Sequence, residues 1–153
     1  MRKRITTPFP DPTSPKERTW LDLNKIAEVE ITSEDPNHPI DDALVPGVGS
    51  GWTATQSGEQ TLQLHFDEPQ MLKHIRLVFN ENNYERTQEF VLRWSKDGVV
   101  FHDIVRQQYN FRPATTEVEE YDVNLDGVVA LQLKITPDIN GPVIATLAEL
   151  RLA

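Results

Sequence analysis

Two short segments carry the side chains most able to grip a ligand. "NENNYERTQ" offers Asn82, Asn83, Tyr84 and Arg86, and "QQYNFRP" offers Tyr109, Asn110, Phe111 and Arg112. An aromatic ring can lie against the C–H face of a sugar, while amides and guanidinium groups take its hydroxyls. The same residue types also suit turns and protein contacts. Other reactive groups are less persuasive. His65 and His74 fall on the polar faces of consecutive apolar-alternating runs, and two histidines without a third ligand make a poor zinc site; a solvent-facing pair is the expectation. "GVGSG" has no Lys-Ser/Thr after it, and Trp52 stands where the last glycine of a dinucleotide fingerprint belongs. Ser50 is not in a nucleophile elbow, because Val48 takes the place of the first glycine. Glu119 and Glu120 are neighbours on a strand-like run and point to opposite faces, so they cannot share one reaction. No credible catalytic set emerges, and the expectation is a chain that binds rather than transforms.

Any binding residues need a frame, and the frame reads as β. Ala27–Thr32 alternates like a strand after a possible helical turn from Leu21 to Ile26. In Thr61–Phe66, Leu62, Leu64 and Phe66 share one face. "DEPQ" then reads as a turn, followed by Ile75, Leu77 and Phe79. Phe90, Leu92 and Trp94 make the next inward stripe. Phe101–Gln108, the polar Thr116–Val123, Val129–Ile135 and Val143–Leu152 complete eight or so short strands. Strands of this length with turn signals between them indicate an antiparallel sandwich or barrel. Ser95-Lys96-Asp97-Gly98 is the sharpest of those signals, since aspartate and glycine supply the positive φ of a tight hairpin. Trp52 and Trp94 are expected in the core, and Trp20 marks where the domain starts. "SEDPNHPIDDALVPGVGSG" reads as one long loop.

Bulk properties narrow the partners. A chain of 153 residues suits one domain and can bury a sizeable core. It has no cysteine, so disulfides and thiolate metal sites are excluded. Residues 1–19 form an expected proline-rich extended arm with five Lys or Arg against Asp11 and Glu17, a net charge of +3. The whole chain carries −9, so the body carries −12. A body of that sign repels phosphate backbones, and nucleic acid is not an expected partner. No apolar run is long enough for a membrane span, and nothing at the start reads as a signal peptide. As written, the chain is expected to be cytoplasmic; a secreted protein trimmed of its leader would read the same.

Four pieces in order resemble the discoidin-like, or coagulation factor 5/8 type C, family. They are "IDDALVPGVGSGWTA", "QTLQLHFDEPQMLKHIRLVF", "FVLRWSKDGVVFHDIV" and "ATLAELRL", and the resemblance covers about residues 20–153. The departures are Phe101 where tryptophan is usual, an early loop worded differently, and the missing cysteines of the extracellular animal members. The resemblance implies a galactose-binding-like jelly roll, an all-β antiparallel sandwich, over residues 20–153. It implies ligand binding by loops at one end, which singles out Asn82, Asn83, Tyr84, Arg86, Tyr109 and Arg112 for a carbohydrate. It also implies one structural calcium ion, held by Asp41 or Asp42, Glu149 and backbone carbonyls around residues 45–50. A hard cation that wants six to eight oxygens suits such a loop. The alternative is an intracellular protein–protein adaptor of the same fold, which the absent signal peptide and cysteines favour.

Overall fold

The computed structural model describes residues 19–46, 50–81 and 83–153. The arm expected over residues 1–19, except for Thr19, and the first three residues of "GVGSG" therefore lie outside the described residues. A single helical turn, α1 (Leu23–Ile26), leads into β1 (Ala27–Ile31). A second turn, α2 (Asp41–Leu44), interrupts what reads as an unbroken loop. Then follow β2 (Trp52–Ser57), β3 (Gln60–Glu81), β4 (Arg86–Ser95), β5 (His102–Phe111), β6 (Thr115–Thr136), β7 (Ile144–Leu147) and β8 (Glu149–Leu152). No helix among the described residues is long and apolar enough to cross a membrane.

All described strand pairs are antiparallel. One sheet runs β1-β3-β6-β4-β5, with β8 also on β3, and β2 pairs with β7. The two 22-residue strands, β3 and β6, organise the fold. Between His65 and Gln70 their pairing slips, so "DEPQ" is a bulged bend inside one strand, not a turn between two. β6 answers with its own irregularity near Gly127. Such bulges bend a strand without ending it. The first half of β3 thus pairs with β1 and the second half of β6, while its second half pairs with β8 and the first half of β6.

This doubling makes an antiparallel β-sandwich. The alternating stripes read from the chain are its interior: Leu62, Leu64, Ile75, Leu77, Phe79, Phe90, Leu92, Leu131, Leu133 and Ile135 are all buried in one cluster. Phe79 on β3 and Phe90 on β4 meet with ring centroids 5.4 Å apart. Trp52 is buried and its indole N–H donates to the Ser33 carbonyl at 3.0 Å. Trp94 only packs against the core from its edge, and its ring faces His102 at 5.5 Å.

The β4–β5 connection is built as its residues demand. The Ser95 hydroxyl accepts from the Gly98 N–H at 2.8 Å, and Asp97 Oδ1 accepts from the N–H groups of Val99 and Val100 at 2.8 and 2.9 Å. Those two backbone donors hold the Asp97 carboxyl below its ordinary range. Gly98 sits at φ +80°.

Three local expectations change. Tyr109, Asn110 and Phe111 lie in β5, paired with Gln88, Thr87 and Arg86, rather than in a loop. The terminal run Val143–Leu152 is divided: β7 joins β2, β8 joins β3, and the Ala148 N–H between them donates to the Val78 carbonyl at 2.8 Å. His65 and His74 are not a solvent-facing pair. His65 contacts Glu30 at 2.9 Å, opposite Ala130 in the sheet, whereas His74 is buried, with Nδ1 2.8 Å from Asp122.

Candidate functional site

The connection from β3 to β4 is folded around one carboxylate. Glu81 closes β3, and its Oε2 accepts from the backbone N–H groups of Asn83 and Tyr84 at 2.9 and 3.2 Å. Its Oε1 accepts from Arg86 Nε at 2.6 Å. Burial pushes the Glu81 carboxyl upward in pKa, but the Asn83 N–H, the Arg86 guanidinium and the Tyr84 N–H together outweigh it and hold the group below its ordinary value of 4.5. Arg86 is itself fastened. Nη1 donates to Gln88 Oε1 at 2.7 Å and to the Pro137 carbonyl at 2.8 Å, and the guanidinium lies 4.4 Å from the centre of the Phe111 ring.

This inner network leaves Tyr84 nowhere to pack. The residue is 65% exposed and lines a cavity of about 500 Å³ with Asn83, Asn80, Thr53, Thr146 and the Pro142–Ile144 segment. Thr146 Oγ1 donates to the Asn80 carbonyl at 3.4 Å, tying β7 to the end of β3. A smaller space of about 210 Å³ shares Thr53, Asn80 and Thr146 and extends the concavity towards His38, Ser50 and Trp52. Ser50 Oγ lies 3.0 Å from His38 Nδ1. An exposed ring, amides, hydroxyls and an imidazole thus surround one open trough. Such a mixture can recognise a molecule that is apolar on one face and hydroxylated at its edges.

The residues singled out from sequence separate on this map. Asn83 and Tyr84 stand in the trough, and Asn82 lies outside the described residues. Arg86 has a side chain only 2% exposed, and its donors serve Glu81, Gln88 and Pro137, so it positions the loop from beneath. Tyr109 packs edge-on against Phe111 and points to an acidic patch on β6, where a hydrogen bond to Glu117 raises its phenol pKa. Arg112 lines a different concavity, with Asn110 and Asp138. The trough also recruits His38, Thr53, Asn80 and Thr146, which sequence reasoning missed. Asn80 had a signal, since it follows buried Phe79 at the strand's end and must face outward. His38 had none, because only folding brings residue 38 near residue 80.

The calcium expectation meets a junction that already holds cations. Glu149 on β8 approaches Arg76, with Nε to Oε2 at 3.5 Å. Beside it Arg151 is buried and Nη1 donates to the carbonyls of Ala43 at 2.6 Å and Leu150 at 3.0 Å, so a guanidinium ties α2 to the last strand. Asp41 and Asp42 occupy the first turn of α2. Among the described residues no three His, Cys, Asp or Glu side chains converge as metal ligands do. Residues 47–49, whose carbonyls belong to the expected shell, lie outside the described residues. Burial lowers the Arg151 pKa against the opposing pull of Glu149. Arg151→Met should lower stability by about 2 kcal/mol, because the buried Ala43 carbonyl loses a charge-assisted partner; a urea unfolding curve matching the unsubstituted protein would contradict this.

Comparison with known proteins places this geometry. Among curated proteins no sequence matches the chain. The family 32 carbohydrate-binding module of Clostridium perfringens NanJ, solved in complex with galactose, superposes with a TM-score of 0.65 at 14% identity, covering 88% of this chain and 97% of that one. A pectin-binding carbohydrate-binding module gives 0.64 at 19% identity, over 84% and 90% of the two chains. The family 32 module of AlyQ, in complex with 4,5-unsaturated mannuronic acid, gives 0.63 at 14% identity, over 89% and 98%. At these identities the likeness is one of fold. The sequence match is more specific: the F5/8 type C domain model aligns with residues 28–150, most of the chain, and the chain therefore belongs to the F5/8 type C domain family.

Proposed function

We propose that this chain is a non-catalytic binding module that takes a carbohydrate in the trough beneath Tyr84. The observation that carries the reading is the Tyr84 ring, held outward by a loop whose interior is fully committed to Glu81 and Arg86. Leaving a large ring in water gains nothing for folding, but it offers a flat apolar face for a sugar's C–H surface. Asn83, Asn80, Thr53 and Thr146 lie close enough to take the hydroxyls. Support comes from the neighbours of the same fold that hold galactose and 4,5-unsaturated mannuronic acid, and from the pectin-binding module.

One shallow sugar site typically gives a dissociation constant near millimolar, about −4 kcal/mol. The test is titration calorimetry or NMR shift mapping with galactose, N-acetylgalactosamine, galacturonic acid and mannuronic acid. Tyr84→Ala should weaken the best of these by about tenfold, about 1.4 kcal/mol, while leaving the melting temperature in place. If the unsubstituted protein binds none of them, or Tyr84→Ala titrates like the parent, the reading is wrong.

A further inference from the structure

The segment that presents Tyr84 has a second side. A concavity of about 390 Å³ lies among Glu85 and Thr87, Asn110 and Arg112, and Asp138 and Asn140. Besides Thr53, the Tyr84 cavity takes its walls from Asn80, Glu81, Asn83 and Tyr84 and from Pro142–Ile144 and Thr146. The second takes Glu85–Thr87, Asp138 and Asn140 from the same two stretches of chain. The two spaces share no lining residue, but they adjoin along the chain on both sides: Tyr84 runs into Glu85, and Asn140 lies two residues from Pro142.

The far station is rigid where it must be and unsatisfied where a ligand would need it. Asp138 Oδ1 accepts from the N–H groups of Asn140 and Thr87 at 3.0 and 3.4 Å, and the Ile139 N–H donates to the Thr87 carbonyl at 2.9 Å. Thr87 Oγ1 donates to Asn110 Oδ1 at 2.7 Å, which orients that amide and leaves its NH₂ available. Arg112, one residue past β5, has no hydrogen bond or ion pair among the described residues, although a guanidinium carries five donors. Donors on Arg112 and Asn110 thus share one lining with acceptors on Glu85 and Asp138. A hydroxyl both gives and accepts, so vicinal hydroxyls match this mixture. A carboxylate or phosphate would meet two acidic side chains.

We propose that the trough binds an oligosaccharide rather than a single sugar, with a neutral hexose residue held at the Arg112 station next to the residue on Tyr84. This rests on the carbohydrate reading of the Tyr84 cavity. The test is calorimetry of the full chain with galactose, β-1,4-galactobiose and digalacturonic acid. The disaccharide galactobiose should bind about fivefold tighter than galactose, the gain of one added set of hydrogen bonds. Arg112→Ala should abolish that gain, leave galactose affinity unchanged and leave the melting temperature unchanged. Galactose binding without a gain for galactobiose, or a gain that survives Arg112→Ala, overturns the second station alone. A gain for digalacturonic acid that exceeds the gain for galactobiose and fades with salt overturns its neutral character. Binding of neither neutral sugar overturns this proposal together with the Tyr84 reading.

Discussion

Arg86→Met should destabilise the protein by about 3 to 5 kcal/mol, the usual penalty for breaking a buried ion pair from one side. The arginine and Glu81 have side chains only 2% and 11% exposed, so water cannot replace the missing partner. Methionine fills much of the space over Phe111 but offers nothing to Glu81 Oε1, Gln88 Oε1 or the Pro137 carbonyl. The midpoint of urea unfolding should fall accordingly, and the double substitution Glu81→Gln with Arg86→Met should recover part of the loss, since no buried charge is then stranded. Acid gives an independent reading. A carboxyl depressed in the folded state contributes stability that is complete above its unfolded value and is lost as pH falls through its folded one. Glu81 is such a group, with an ordinary value of 4.5, so stability should decline below about pH 4.5, and less steeply in Arg86→Met. A loss under about 1 kcal/mol in Arg86→Met at neutral pH would show that the pair does not hold this end of the sandwich.

Gly51→Ala should cost about 2 to 5 kcal/mol, from two causes that add. The residue sits at φ +97°, where a side chain is strained. Its added Cβ would also stand 2.6 Å from the Leu147 carbonyl oxygen and 2.8 Å from Ala148 Cα. Both obstacles are backbone, and that backbone is the joint where the chain leaves β7 for β8, beside the His38 end of the trough. Relief would need β2 and β7 to separate, or the overpacking to be absorbed as strain. Gly98→Ala is the control: φ is +80° but nothing lies within 4 Å of the new atom, so the conformational term should appear alone, at about 1 kcal/mol. Equal losses at the two positions, measured by the same unfolding curves, would remove the close-approach explanation.

Those glycines show which kinds of fact a linear chain displays. Gly98 belongs to a turn whose every partner lies within five residues, so Ser95, Asp97 and Gly98 announce it. Gly51 looks like part of a phosphate loop, yet it is needed because Leu147 and Ala148, far along the chain, come against it. The same division runs through the strands. Leu62, Leu64 and Phe66, or Phe90 and Leu92, reveal their buried face because a strand's side chains alternate whatever it pairs with. "DEPQ" misleads because a bend in one strand uses the same residue types as a turn between two, and the difference lies in β6 continuing alongside. His74 misleads because its parity with polar neighbours says nothing about Asp122 being there to pair with it.

Periodicity and turn chemistry are local, so the alternating all-β pattern, the Ser95–Gly98 hairpin and the core stripes could be read from neighbouring residues. Which carboxylate meets which guanidinium, and which loops share a wall, depends on contacts between residues tens of positions apart. Arg86 and Tyr84 make the point together. They are two residues apart and chemically alike as candidate ligand contacts, but Pro137 and Phe111 draw the arginine inside and nothing draws the tyrosine. A linear reading could list both; the distant carbonyl and ring separated them.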